Sequence, residues 1–164
     1  STLDENGFLE TTHVNERCAA GSGKFLGMVA EAVEVPFAAI SSIAAASSQP
    51  YSFSSSCAVF AESEIISQVN AGMKSSDVLA GVIKAIASKT ASLIESAGAN
   101  DNIVLIGGLS KVAAVREMLT GLTGRKMMTL PIDSQLIAAF GAALIAQGKM
   151  MRKRQGAAAT GKVA

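Results

Sequence analysis

Cys18 and Cys57 are the residues of this chain best suited to chemistry. Each closes a run of polar residues and leads into a stretch with helical periodicity: NERCAAGSGKFLG at 15–27 and SSSCAVFAESEII at 54–66. Helix starts carry partial positive charge and free amides, which lower a thiol's pKa and favour the thiolate. Ala19, Ala20, Gly21, Ser22 and Gly23 leave room for something bulky beside the first sulfur, and Ser54, Ser55 and Ser56 give the second a similar low-bulk approach. Two thiolates so placed can ligate a metal centre. A cubane iron–sulfur cluster takes four thiolates and a structural zinc site four N/S ligands. With two cysteines and one histidine (His13), one chain cannot complete such a site. Two chains meeting on a two-fold axis can. Spacing alone leaves a second reading open, in which both cysteines are small buried hydrophobes.

The first cysteine loop also contains Gly-Ser-Gly-Lys, which raises the question of a phosphate-binding loop. The Walker A pattern G-x-x-x-x-G-K-[ST] needs a glycine five residues before the second Gly and a hydroxyl after the Lys for magnesium. Those positions here are Cys18 and Phe25, so the P-loop reading fails.

The elements that must position these residues follow from periodicity. Asn6-Gly7 is a favoured hairpin turn, and residues 2–14 are expected to form two short antiparallel strands. Phe25, Leu26, Val29, Ala30 and Val33 recur at helical spacing up to Pro36, and residues 36–47 read as a second, alanine-rich helix. After the serine-rich segment SSQPYSFSSS comes a helix from about Cys57 to Asn70. A long helix follows over 77–97, capped by Ser76-Asp77, with Leu79, Val82, Ile83, Ile86, Leu93 and Ile94 on one face. The period then changes. Ile103–Ile106 is a short continuous apolar run ending in Gly107-Gly108, the pattern of a buried parallel strand. A helix over 110–122, a strand in KMMTLP and a last helix from Ser134 to Lys149 complete a strand–helix–strand–helix order. The chain therefore reads as an α/β lobe with a helical insertion over residues 1–150 and a basic, flexible tail over 151–164.

Composition narrows the function classes. The chain has 164 residues, 49% apolar, with 4% aromatics and no Trp, which favours closely packed helices over an aromatic-rich sandwich. A net charge of +1 lacks the basic excess of a nucleic-acid binder. The exception is Lys149, Arg152, Lys153 and Arg154, read as a solvated helix end rather than a polyanion contact. The longest apolar run, LIAAFGAALIA at 136–146, is too short to span a bilayer. No signal-peptide pattern is visible and two cysteines make no disulfide scaffold, so a cytoplasmic location is expected.

Four segments in this order, NERCAAGSGKFL, SSSCAVFAESEIIS, LIGGLSKV and SQLIAAFGAALIA, resemble the BadF/BadG/BcrA/BcrD family of ATPases. The resemblance runs from about residue 4 to 147. It implies the actin/Hsp70/sugar-kinase (ribonuclease H-like) fold and a dimer around one [4Fe-4S] cluster. It also implies ATP hydrolysis, with Mg, that drives a low-potential electron into a 2-hydroxyacyl-CoA dehydratase or a benzoyl-CoA reductase. A ferredoxin or flavodoxin would be the donor, and the dimer mate is either a second copy or a paralogous subunit.

Carried over position by position, the resemblance makes Cys18 and Cys57 cluster ligands. It makes Gly107 and Gly108 the pair against the adenosine, where a backbone without Cβ can approach a flat ring. Glu62 and Glu64 fall near the ribose and adenine, although a charged helix face explains them as well. Gly21 and Gly23 border the nucleotide cleft or pack at the cysteine loop. Gln135 and Gly141 match the final helix, with Gly141 read as a packing contact. Val112 and Ala114 stand where the family pattern has an Asn and a Gly. The family's phosphate motifs, Asp-x-Gly and Asp-x-Gly-Gly-x-Asp, have no counterpart in these residues, and magnesium and γ-phosphate contacts need them. The chain is accordingly expected to be a C-terminal lobe without the N-terminal one, a fragment or half of a split protein, and not to hydrolyse ATP alone. Two alternatives share the fold: a sugar- or acyl-kinase-like domain with structural cysteines, and a non-catalytic docking lobe.

Overall fold

The computed structural model describes residues 1–14, 22–53, 58–98 and 102–160, without the side chains of 58–60, 154 and 156–160. The chain opens on β1 (Thr2–Leu3) and β2 (Leu9–Thr11), an antiparallel pair. Their turn contains the expected Asn6-Gly7, with Gly7 at φ 80°. The Asp4 carboxylate holds it by accepting from the amides of Asn6 and Phe8 at 2.9 and 2.8 Å.

Helix α1 (Gly23–Ala32) starts at Ser22, whose Oγ accepts the Phe25 amide at 3.3 Å. The sequence here predicts the buried face correctly: Phe25, Leu26, Val29 and Ala30 are all in the core. The helix expected over 36–47 is shorter. A 3-10 turn (Phe37–Ala39) leads into α2 (Ile40–Ala45), where the helix ends. Helix α3 (Ala58–Asn70) and the long α4 (Ser75–Ser96) follow. Ser76-Asp77 does not cap α4 as expected. Lys74 is its N-cap and makes no side-chain cap bond, while the Asp77 carboxylate is turned to the segment arriving from α2.

The α/β layer is built from β3 (Ile103–Val104), α5 (Ala113–Thr123) and β4 (Met127–Met128). The strands pair in parallel, Ile103 with Met127 and Val104 with Met128. Both are shorter than the apolar runs suggest, because each has one pairing neighbour among the described residues and Gly107 is pulled away to the Ser134 carbonyl at 2.9 Å. The helix expected from 110 starts instead as a 3-10 turn, Gly108–Lys111. The last helix, α6 (Ile137–Thr160), starts later and ends later than Ser134–Lys149. Residues 133–136 form a turn, with the Asp133 carboxylate accepting the Gln135 amide at 2.9 Å. Beyond Lys149 no Pro intervenes, and the alanines of 157–159 are strong helix formers.

The core lies between helices. Leu26, Ile40, Ile65, Leu79, Ile83, Ile86 and Leu119 are fully buried, each contributing about 1.5–3 kcal/mol by area removed from water. Helix α4 is its centre and packs on α1, α2, α3 and α5.

Candidate functional site

At the end of β3 the chain turns through Gly107, at φ 85°, a conformation that a side chain strongly disfavours. Its amide donates to the Ser134 carbonyl at 2.9 Å, and its carbonyl accepts the Ser110 hydroxyl at 2.7 Å. Ser110 and Ser134 are also bonded to each other through their hydroxyls, and Ser110 is the buried polar residue of this junction. The turn before α6 is thereby locked to the turn before α5. Lys111 pairs with Asp133 across the same junction at 2.7 Å. The Asp133 carboxyl is held below its ordinary range, first by the Lys111 hydrogen bond and then by the Gln135 amide.

Three glycines singled out by sequence converge here. Among the described residues a Cβ at Gly108 would meet only Gln135 Nε2, at 3.4 Å, and one at Gly23 would touch Leu109 at 3.8 Å. The start of α1 therefore sits against the Gly107-Gly108 turn, with Gln135 on the turn's other flank. Gly141 behaves differently. A Cβ there meets nothing within 4 Å among the described residues, and the packing role expected for it is not seen among them. Val112, where the family pattern is polar, is buried in the core and its carbonyl starts α5, accepting from Val115 and Arg116. The Ala114 amide goes to Ser41 Oγ at 3.3 Å.

Glu62 and Glu64 are half-buried on α3. Glu64 accepts a hydrogen bond from the Tyr51 hydroxyl at 2.6 Å, and this bond is the first cause of a raised Tyr51 pKa. Tyr51 belongs to a strap, residues 46–53, laid across the start of α4. Asp77 ties the strap down by accepting Ser47 Oγ at 2.6 Å and the Gln49 amide at 3.2 Å, while the Tyr51 amide bonds the Asp77 carbonyl at 2.9 Å. These contacts lower the Asp77 pKa, the Ser47 hydrogen bond most. Gly81 is the helix position that permits the crossing, since a Cβ there would overlap the Tyr51 carbonyl. Phe53 stacks edge-on against Tyr51, ring centroids 4.9 Å apart. Sequence reasoning misses the strap because its partners lie 28 and 30 residues apart, at Gln49–Asp77 and Ser47–Asp77. The one signal was a glycine inside a strong helical pattern.

Cys18, Gly21 and Cys57 lie outside the described residues. The segments that carry the two cysteines lead into α1 and α3, and these helices pack against each other. Among the described residues no group of three or more His, Cys, Asp or Glu side chains could hold a metal ion. No single described helix is long and apolar enough to cross a membrane. The bent pair Gly23–Ala32 with Phe37–Ala45 passes only by length and composition taken together.

The model of the BadF/BadG/BcrA/BcrD ATPase family matches residues 2–146. The chain is 37% identical over 145 residues to the (R)-2-hydroxyglutaryl-CoA dehydratase activating ATPase of Acidaminococcus fermentans, covering 88% of this chain and 55% of that protein. It is 34% identical over 146 residues to one of the benzoyl-CoA reductase subunits of Thauera aromatica, covering 86% and 52%. Among solved structures, the activator of the 2-hydroxyisocaproyl-CoA dehydratase from Clostridium difficile with bound ADPNP matches with a TM-score of 0.82 at 34% identity. That match covers 94% of this chain and 57% of the other. The chain spans about half the length of the curated relatives it matches. The architecture is thus the α/β, actin-like lobe with a helical insertion that the sequence implied.

Proposed function

Because the chain belongs to the BadF/BadG/BcrA/BcrD ATPase family, we infer that it works as the C-terminal lobe of an ATP-dependent electron-transfer activator. Its target would be a 2-hydroxyacyl-CoA dehydratase or a benzoyl-CoA reductase component, with a ferredoxin or flavodoxin as electron donor. The observation that carries this reading is the glycine junction. Gly107 at φ 85° and Gly108 on one backbone segment, and Gly23 on a second, bring bare backbone together at the carboxyl end of a parallel strand. Open α/β sheets bind ligands at that end, and a flat ring can lie against bare backbone. Gln135, whose Nε2 lies beside Gly108, would meet an adenosine's polar edge. Glu62 and Glu64 would face the ribose from α3, with Glu64 shared between that role and the Tyr51 hydroxyl.

The donor set supports an iron–sulfur group between two chains. Two thiolates per chain make four per pair, which is the ligand count of a cubane cluster. Cys18 and Cys57 would hold it, and it would supply a one-electron carrier of low potential. The protein's own part is mechanical. The Cys18 segment enters α1, whose first residue Gly23 touches the nucleotide-side turn at Leu109. The Cys57 segment enters α3, which packs on α1 and carries the two glutamates. Nucleotide that favours a closed arrangement would bias both helices at once, and with them both cysteine loops.

Nucleotide binding tests the first half of this reading. ADP should raise the thermal midpoint of this chain joined to the other half of its ATPase, as any ligand specific for the folded state does. Gly108→Val should weaken ADP binding by roughly tenfold or more, about 1.4 kcal/mol, without unfolding the protein, since among the described residues only the flexible end of Gln135 lies near the new Cβ. Unchanged affinity in the valine variant would remove the glycine junction from the nucleotide site.

A further inference from the structure

The Ser110–Ser134 pair also walls a recess of about 160 Å³. Leu105 reaches it from the end of β3, Met128, Thr129 and Leu130 from β4 and the segment after it, and Arg116 from the first turn of α5. None of Gly23, Gly107, Gly108 and Gln135 lines it, so it is distinct from the glycine face proposed to meet nucleotide. Four of its side chains are aliphatic: Leu105, Met128, Leu130 and Ile132. Lys111 and Arg116 bring two cations to it, and no carboxylate is among its described lining residues.

The polar groups around the recess are not in the same state. Ser110 and Ser134 are engaged with each other and with the Gly107 carbonyl, and Lys111 is paired with Asp133. Arg116 is half-buried, and its guanidinium makes no ion pair or hydrogen bond among the described residues. The Thr129 hydroxyl has no hydrogen-bond partner among them either. Two unengaged donors therefore border an aliphatic wall. The guanidinium is a planar fork that matches a carboxylate with two parallel hydrogen bonds. Phosphate would satisfy the fork and leave the aliphatic wall facing water. A carboxylate on a short hydrocarbon chain satisfies both. For size, an apolar cavity of about 150 Å³ holds a benzene-sized molecule, so the recess has room for about six or seven non-hydrogen atoms.

We propose that this recess is a binding site for a small aliphatic carboxylate. Its carboxylate lies on Arg116, with Lys111 as the second positive charge and the Thr129 hydroxyl as a further donor. Its chain lies against Leu105, Leu130 and Ile132. The site goes beyond the proposed function, since it shares none of the residues assigned there to nucleotide or cluster.

The test uses the ATPase completed by its other half, and this chain alone beside it. Amide NMR signals of 110–111, 116 and 129–132 are followed as sodium pentanoate is added at constant ionic strength. Pentanamide, its neutral counterpart, and inorganic phosphate are added in parallel. Pentanoate should shift these signals saturably at millimolar concentration, in both samples and with ADP present in excess, while the amide and phosphate should not. Arg116→Gln should weaken pentanoate binding by roughly tenfold or more, and Arg116→Lys, which keeps the charge but not the fork, should fall between the two. Pentanamide or phosphate binding as well as pentanoate would overturn the proposal, as would unchanged affinity in Arg116→Gln. Displacement of pentanoate by ADP would assign the recess to nucleotide instead, and binding to the chain alone but not to the completed ATPase would mean that the recess is filled in the whole protein. The pentanamide comparison is made on the unaltered protein and so does not depend on how any variant folds. Failure of ADP to bind tells against the proposed function only, because pentanoate binding is read separately.

Discussion

Gly81 is the residue whose side chain matters most by its absence. It sits in the middle of α4, where alanine would ordinarily gain about 1 kcal/mol of helix propensity. Yet a Cβ would overlap the Tyr51 carbonyl, backbone that cannot swing aside as a flexible side chain would. Overpacking of this kind costs about 1–3 kcal/mol, so Gly81→Ala should lower the thermal midpoint despite the better helix former. A raised midpoint would mean that the strap yields freely. Asp77 gives a pH-dependent counterpart. Its folded pKa is depressed by Ser47 Oγ and the Gln49 amide, so its contribution is complete above the ordinary carboxylate pKa of about 3.9. The contribution is lost as pH falls through the lower folded value. Protection of the Gln49 and Tyr51 amides, taken relative to their intrinsic exchange rates, should therefore be flat from neutrality to about pH 4 and fall below it. In Asp77→Asn that acid step should disappear.

At the scale of elements, the helices were legible in the sequence and their junctions were not. The buried faces of α1 and α4 follow from apolar residues at helical spacing, because burial of one stripe is a local pattern with a local signature. The start of α4 departs from its sequence pattern for a physical reason. Ser76-Asp77 has the composition of a cap, but a carboxylate bonds whichever donors tertiary structure brings, and here those are on the strap. The apolar runs at β3 and β4 extend past the paired residues because an apolar run records a tendency to burial, not strand pairing. The Gly107-Gly108 turn was found by sequence, whereas its lock through Ser110, Ser134 and the Lys111–Asp133 pair joins residues 22 to 27 positions apart and has no sequence signature. Tyr51→Phe tests the strap as an element. It removes the donor to Glu64 but keeps the ring against Phe53, so proteolysis within 46–53 should quicken while the overall thermal midpoint changes little. A cleavage rate equal to the parent's would show that Asp77 and Gly81 hold the strap unaided.

For the whole molecule, the decisive feature is that two potential sites are carried on one packed pair of helices. Gly23 joins α1 to the Gly107-Gly108 turn proposed to meet nucleotide, Glu64 joins α3 to the strap, and the two cysteine segments enter these same helices. A fold with kinase-like chemistry and merely structural cysteines has no need of that coupling, whereas an activator that moves an electron on nucleotide binding does. The most direct measurement is iron and sulfide analysis after anaerobic reconstitution of the completed ATPase, with Cys18→Ala and Cys57→Ala alongside. About two iron atoms per chain, as a cluster with four thiolates from two chains requires, should be bound by the parent and lost in both variants, together with the dimer. Iron retained in either variant, or a parent that binds ADP and dimerises but takes up no iron, would contradict the assignment.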